Sequence, residues 1–281
     1  MMMKKTNTLT ILALGVACAA QAQSVDFNTG LTDLTGNFTT SDTQDFTHNA
    51  SRGTNGTGAI TFGANSNIGD YFLNSTVDFT ALGGGSAYSH SVSLDFQFID
   101  ATIPGTSGNK NILRLGFASD AADGSATGGA DDYVTLVTTA GSAADSLDVS
   151  FDFNHATVNK LKGGGNIQTT IAAGEWVRLE FTVAGSDRSD TSAYATLYSL
   201  GTDGTGTPTI IFSHSHLDKP NVASLLDSAM NPFFQVGGWG NNEFDVIDNF
   251  TVASTVPEPS TYALLAGLLA FVSVALRRRS C

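Results

Sequence analysis

Three carboxylates fall within six residues near the end of the chain, in Glu243-Phe244-Asp245-Val246-Ile247-Asp248, and Asn249 follows them directly. Ionisable oxygens at this spacing suit acid–base catalysis, and they also suit a hard cation. For the second use, Asp248 and Asn249 would join Asp26 from the start of the chain as ligands of a structural calcium ion, which takes six to eight oxygens from carboxylates, amides and carbonyls. Just upstream, Gly237-Gly238-Trp239-Gly240-Asn241-Asn242 sets a flat aromatic ring beside two amides. Trp239 would stack on a sugar ring while Asn241 and Asn242 bond its hydroxyls; the alternative is a tryptophan packed against a sheet edge.

Other clusters are less specific. His214-Ser215-His216 puts two imidazoles on one strand face, the beginning of a metal site, but no third ligand stands near it in sequence, and an exposed pair is expected. Asp120, Asp123, Asp131 and Asp132 form an acidic stretch around Gly124 and Gly128-Gly129 whose spacing does not fit an EF-hand, so a solvated loop is expected. The chain has no Gly-x-Ser-x-Gly elbow, no His-Glu-x-x-His and no phosphate-cradling loop.

The elements that would position these residues read as strands. Val92, Leu94, Phe96 and Phe98 alternate with Ser93, Asp95 and Gln97, and Leu147 to Phe153 and Val177 to Val183 repeat the pattern. Period-two alternation gives each strand one apolar and one polar face, which two antiparallel sheets packed face to face satisfy. Further strands are predicted at Ala59 to Phe62, Tyr71 to Phe79, Ile112 to Ala118, Tyr133 to Thr138, Ser192 to Leu200, Thr209 to Ser213 and Phe244 to Val252. Gly83-Gly84-Gly85, Asp123-Gly124, Gly163-Gly164-Gly165, Gly185-Ser186 and Asp203-Gly204 are predicted turns, and Val222 to Met230 after Pro220 the one short helix of the domain. Trp176 alternates with Val177 and Leu179, so it points away from the core and needs a loop to cover it.

From Gly174-Glu175-Trp176 through Tyr194 and Tyr198 to the turn at Asp203-Gly204 and the closing strand at Asp245 to Phe250, the pattern resembles a concanavalin A-like jelly roll of the lectin, laminin G and glucanase kind. The carboxylate cluster itself is similar to the Glu-x-Asp-x-x-Glu motif of laminarinase-like retaining glycosidases. That resemblance implies Glu243 as nucleophile, Asp248 as acid/base and Asp245 between them. The last position here is the shorter Asp, and the motif lies on the final strand where that family carries it mid-chain. A non-enzymatic, glycan-binding or structural protein is therefore expected, with the glycosidase as its alternative.

The two ends read differently from the middle. Lys4 and Lys5, an apolar stretch from Thr8 to Ala20 and the A-x-A-like Ala20-Gln21-Ala22 predict a signal peptide over 1–22 for the general secretion machinery. The domain follows over 23–255. Over 256–281, Pro257-Glu258-Pro259 precedes an apolar run from Tyr262 to Leu276 and the cluster Arg277-Arg278-Arg279. As a helix that run is about 22 Å long, short of a ~30 Å hydrocarbon core, which suits transient membrane residence; the arginines stay on the cytoplasmic side. This tail resembles the PEP-CTERM sorting signal. The resemblance implies recognition by an exosortase, a membrane cysteine protease that removes the tail, in a Gram-negative bacterium that makes exopolysaccharide, and delivery to the cell surface or matrix.

Both cysteines, Cys18 and Cys281, lie in these end segments, so the domain between them has no disulfide. It keeps eight basic residues against 25 acidic ones, a net charge of −17. Nucleic acid and anionic membranes are excluded as partners by that charge. Mass spectrometry of the exported protein is expected to find Gln23 at its N-terminus and no Arg277 to Cys281; an intact arginine cluster on surface-located protein would overturn tail removal.

Overall fold

Alternating side chains become two layers in the computed structural model, which describes residues 20–40, 46–62, 69–79, 88–98, 111–119, 133–140, 146–155, 158–172, 174–186, 190–216, 229–236, 244–255 and 267–269. In chain order the elements are β1 (Ala20–Val25), α1 (Leu31–Asn37), β2 (Phe38–Thr40), β3 (Phe46–Asn49), β4 (Ala59–Phe62), β5 (Gly69–Leu73), β6 (Val77–Asp78), β7 (Tyr88–Phe98) and β8 (Asn111–Ala118). They continue with β9 (Tyr133–Ala140), β10 (Ser146–His155), β11 (Val158–Thr170), β12 (Trp176–Gly185), β13 (Thr191–Gly201), β14 (Thr209–His216), β15 (Ala229–Val236) and β16 (Phe244–Thr255). One antiparallel sheet, called A here, runs β14-β13-β12-β7-β16-β4-β3 with β1 also on β16; the other, B, runs β11-β10-β9-β8-β15-β5-β2 with β6 on β15. The expected two-sheet, all-β sandwich is the observed fold.

The period-two faces meet between the sheets. Val92, Leu94 and Phe96 of β7 and Val177, Leu179, Phe181 and Val183 of β12 have no exposed surface. Aromatic rings fill the core: within sheet B, Tyr71 stacks on its cross-strand neighbour Phe234 at 4.9 Å and Phe38 meets Phe234 edge-on at 5.3 Å, and across the layers Phe38 meets Phe250 of sheet A edge-on at 5.2 Å. A second chain of rings runs from Phe79 through Phe117 to Phe181 and Phe151. Burying one such ring stabilises the fold by about 1.5–3 kcal/mol relative to exposure.

Several local expectations are corrected. The glycine run 163–165 lies inside β11, where the register jumps from Val149 opposite Ile167 to Phe151 opposite Gly163; glycine absorbs the extra residues without a Cβ to place. Tyr71 to Phe79 is two strands, β5 and β6, interrupted at 74–76. Ala229 and Met230, the end of the helix predicted over Val222 to Met230, begin β15 instead; the rest of that predicted helix lies outside the described residues. Pro232 is tolerated inside β15 because the ladder is broken there: β5 pairs Phe233 to Val236, β6 pairs Ala229 and Met230, and Asn231 Nδ2 donates to the carbonyls of Leu73 and Ser75 in the gap. Helix α1 is seven residues with only Leu34 buried, too short for a helical period to show.

Residues 20–256 form one unit, and 1–19 with 257–281 a second. In the second only Gly267–Leu269 is described, a helical turn with exposed Leu268 and Leu269. Among the described residues no helix is long and apolar enough to cross a membrane. Strand β1 begins at Ala20, inside the expected signal peptide, and pairs Ala20–Val25 with Phe250 to Thr255. A cut after Ala22 leaves Gln23 to Val25 on Val252, Thr251 and Phe250.

His90 brings a titratable group into the core. His90 is buried against Phe79 and Tyr88, its Nδ1 2.8 Å from Ser254 Oγ, while Nε2 finds no hydrogen-bond partner among the described residues. Burial lowers its pKa from 6.5 to about 4. The unfolded chain therefore takes up this proton at higher pH than the folded one, so the contribution of neutral His90 is complete above pH 6.5 and is lost as pH falls toward about 4. Denaturant titrations should show the stability of wild type relative to His90→Leu falling by about 3 kcal/mol across that window, and a pH-independent difference would sink the assignment.

Candidate functional site

The outward face of sheet A carries a polar row that sequence alternation alone would leave in water. Asp248 on β16 lies opposite Asp95 on β7, Asp95 opposite Arg178 on β12, and Arg178 opposite Tyr198 on β13. Both carboxylates are buried, at 0% and 1% exposure. Arg178 grips Asp95 with a fork, Nε to Oδ1 at 2.7 Å and Nη2 to Oδ2 at 2.9 Å. Those hydrogen bonds raise the guanidinium's pKa further.

Among the described residues no cation pairs with Asp248. Its Oδ2 accepts from the Thr54 backbone N–H at 3.0 Å and the Thr54 hydroxyl at 2.8 Å, and its Oδ1 accepts from the Asn249 N–H at 2.8 Å. Asn249 then donates from Nδ2 to Thr54 Oγ1 at 2.8 Å and to Asp95 Oδ2 at 3.1 Å, closing the network. Burial pushes the Asp248 carboxyl up, these bonds pull it down, and the charge of Asp95 pushes it up again. The geometry depends on a β-bulge. The register with β7 slips between Asp248 and Thr251, and Asn249 takes φ 48°. Consecutive strand residues normally face opposite ways; the bulge turns Asp248 and Asn249 to the same side.

Two loops cover the row. The 3-10 turn Thr54–Gly56 brings Thr54 over β16, and Asn55 N–H donates to the Asp203 carbonyl at 2.9 Å in the β13–β14 turn. Gly204 sits against Thr54 with φ +71°, and a Cβ there would come within 2.7 Å of Thr54 Cγ2, so both conformation and space require glycine. On the outer side of the sheet Trp176, 2% exposed, packs with Ala59, Leu200 and Val246 in a small apolar cluster. Trp176 is thus closed to solvent although its strand position points it away from the core.

The structure places the sequence candidates as follows. Trp239, Asn241, Asn242 and Glu243 lie outside the described residues, as do Asp120, Asp123, Asp131 and Asp132, and of Asp245 only the backbone is described. The segment 237–243 leaves from Val236, paired with Gly69 and Leu113, and returns at Phe244, paired with Phe98. The strand ends flanking 63–68 and 99–110 thus share that end of the sandwich. Asp26 is exposed after β1 and is not part of the Asp248 network. The oxygens of Asp248 face N–H and O–H donors, a donor set that does not fit calcium, and among the described residues no group of three or more His, Cys, Asp or Glu stands ready for a metal. His214 is half-buried, not exposed: its ring lies 5.7 Å from Phe151 and 6.2 Å from Phe212. Thr54, Asp95 and Arg178 were not singled out from sequence. Asp95 and Arg178 look like any solvated polar face of a strand and Thr54 like an ordinary loop threonine; the adjacent Asp248-Asn249 pair was the available hint of a bulge.

Two outcomes follow. Asn249→Ala should destabilise the domain by about 1–2 kcal/mol more than Asn249→Gly in urea titrations, because both lose the amide bonds but only alanine strains the left-handed backbone; equal losses would contradict the bulge. EDTA should leave the melting temperature unchanged, and a fall of several degrees would show an ion held by a rearranged Asp26, Asp248 and Asn249.

A protein-family model described as the PEP-CTERM protein-sorting motif matches residues 255–279. No curated protein matches the chain. Among solved structures, peanut lectin with a nine-residue peptide superposes with a TM-score of 0.51 at 16% identity, over 84% of this chain and 98% of that one. Basic winged bean lectin with Tn-antigen superposes at 0.50 and 10% identity, over 85% and 100%. At such identities the likeness is one of fold. The chain joins a PEP-CTERM sorting motif at its C-terminus to a concanavalin A-like jelly roll of the kind found in legume lectins.

Proposed function

We propose that this is an exported protein, processed by an exosortase at its PEP-CTERM tail, whose sandwich binds carbohydrate without chemically altering it at the cell surface or in the extracellular polysaccharide of a Gram-negative bacterium. The pairing of that sorting motif with a lectin-like fold carries the reading. One structural neighbour is a lectin described with the Tn-antigen, a carbohydrate ligand. Trp239, Asn241 and Asn242 are the proposed sugar contacts: their flanking strand ends, Val236 and Phe244, belong to different sheets at a shared end of the sandwich. Loops carried on such a scaffold are where binding residues concentrate. The tail helix holds the protein in the inner membrane only until it is cut.

The glycosidase alternative keeps Glu243 as nucleophile and Asp248 as acid/base. Against it stands the environment of Asp248, which has no exposed surface and gives its oxygens to Thr54 and Asn249. A matrix or adhesive protein without sugar affinity is the other alternative.

A glycan array probed with the exported protein, with and without calcium, is expected to show binding that Trp239→Ala weakens by about tenfold, as for loss of one stacked ring. A blank array would favour the purely structural reading. Incubation with polysaccharide should release no reducing sugar, and release abolished by Glu243→Gln would replace the proposal with catalysis.

A further inference from the structure

The geometry points to a second carbohydrate subsite on the outward face of sheet A, built on Tyr194 and Tyr198 of β13 and suited to an extended neutral polysaccharide. It rests on the carbohydrate reading above but uses other residues. Alternation puts Tyr194, Thr196 and Tyr198 on the side of β13 away from the core, because Ala193, Ala195 and Leu197 are buried in it. Tyr194 is 38% exposed, and Ile210, paired with Tyr198 on the edge strand β14, is 60% exposed. Large apolar groups exposed to water on a sheet face mark a contact surface.

The polar groups beside the rings are held in place. Tyr198 Oη donates to Glu180 Oε1 at 3.4 Å, and Glu180 lies opposite Thr196. Arg178, opposite Tyr198, uses Nε and Nη2 for Asp95, which orients the remaining Nη1 on a side chain that is 35% exposed. An amphipathic ring, a carboxylate acceptor and a guanidinium donor therefore stand together on adjacent strands. A pyranose offers the matching set: polarised C–H groups on its face for the negative π-face of tyrosine, and hydroxyls at its edge that donate to Glu180 and accept from Arg178. Four residues of strand separate the two rings by about 13 Å, room for more than one sugar unit, so a polymer fits better than a monosaccharide.

Charge selects among polymers. Asp95 and Glu180 against Arg178 leave this face negative, within a domain of net charge −17, so uronic-acid or sulfated chains are repelled. A protein partner would need a contiguous apolar centre, and Thr196 and Ser213 interrupt one here.

Affinity electrophoresis of the exported protein through gels containing hydroxyethylcellulose, galactomannan, dextran or alginate tests this. Retardation is expected in at least one neutral gel and not in alginate. Tyr194→Ala and Tyr198→Ala should each raise the apparent Kd by about tenfold, and Thr196→Arg, which fills the space between the rings and spares both, should do the same. Melting curves establish that each variant is folded, and Tyr194 is exposed enough for its removal to leave the fold intact. Retardation lost by Trp239→Ala but kept in all three β13 variants would overturn this subsite and leave the proposed function standing. Loss in the β13 variants with Trp239→Ala unaffected would support the subsite while removing the role given to Trp239. Retardation in alginate alone, or in no gel, would overturn the subsite.

Discussion

Asp95 is a carboxylate with almost no access to water, and much of the outer side of sheet A is organised around it. A buried charge without a partner is among the most destabilising features a fold can contain. Here Arg178 supplies a two-pronged ion pair from one neighbouring strand and Asn249 an amide from the other. The pair need not add net stability, since desolvation offsets much of the attraction. Its physical effect is on registry: slipping β12 by one residue against β7 would turn Arg178 to the core side and strand Asp95, and slipping β16 would turn the Asp248 carboxylate into the core.

The second carboxylate extends that constraint to the loops. Asp248 opposes Asp95 across the ladder, so it needs donors that bring no further negative charge. Thr54 and the Asn249 backbone provide them, and this draws the 3-10 turn across the sheet, where the Asp203–Gly204 turn meets it. On the same face Trp176, Ala59, Leu200 and Val246 form a small buried cluster. A small apolar cluster and a satisfied polar network thus cover adjacent parts of one face and depend on each other for exclusion of water.

This arrangement suits a protein built for use outside the cell. With both cysteines in the end segments, the sandwich relies on packed aromatic rings and hydrogen bonds where many small exported domains use disulfides. The covered part of sheet A, over β16 and the start of β12, is closed to solvent. Further along the same face, on β13 and β14, no such cover is described, and Tyr194 and Ile210 meet solvent. One sheet therefore offers both a sealed region and an open one, divided where Arg178 stands with one side of its guanidinium on Asp95.

The alternation of Val92 to Phe98 and Val177 to Val183 was enough to read two half-buried sheets, because a strand's side-chain period is an intrinsic property of its backbone. Strands broken by Asn, Gly or Pro were harder: β6 merged with β5, and β15 was hidden by Pro232, whose missing N–H is harmless only because a neighbouring ladder stops beside it. The sorting tail was legible because Pro257-Glu258-Pro259, the apolar run and the arginine cluster resemble a known linear signal. The site was legible only in part. Asp248 and Asn249 stood out as neighbouring oxygen-bearing residues, yet their use as hydrogen-bond hub and bulge could not be read, since Thr54 lies almost 200 positions away and Asp95 and Arg178 match the ordinary polar face of a strand. Local sequence determined which residues point together along each strand. Only the tertiary structure decided which strands lie side by side, and hence which charges are buried and must be paired, because burial is a property of neighbours that the chain brings together at long range.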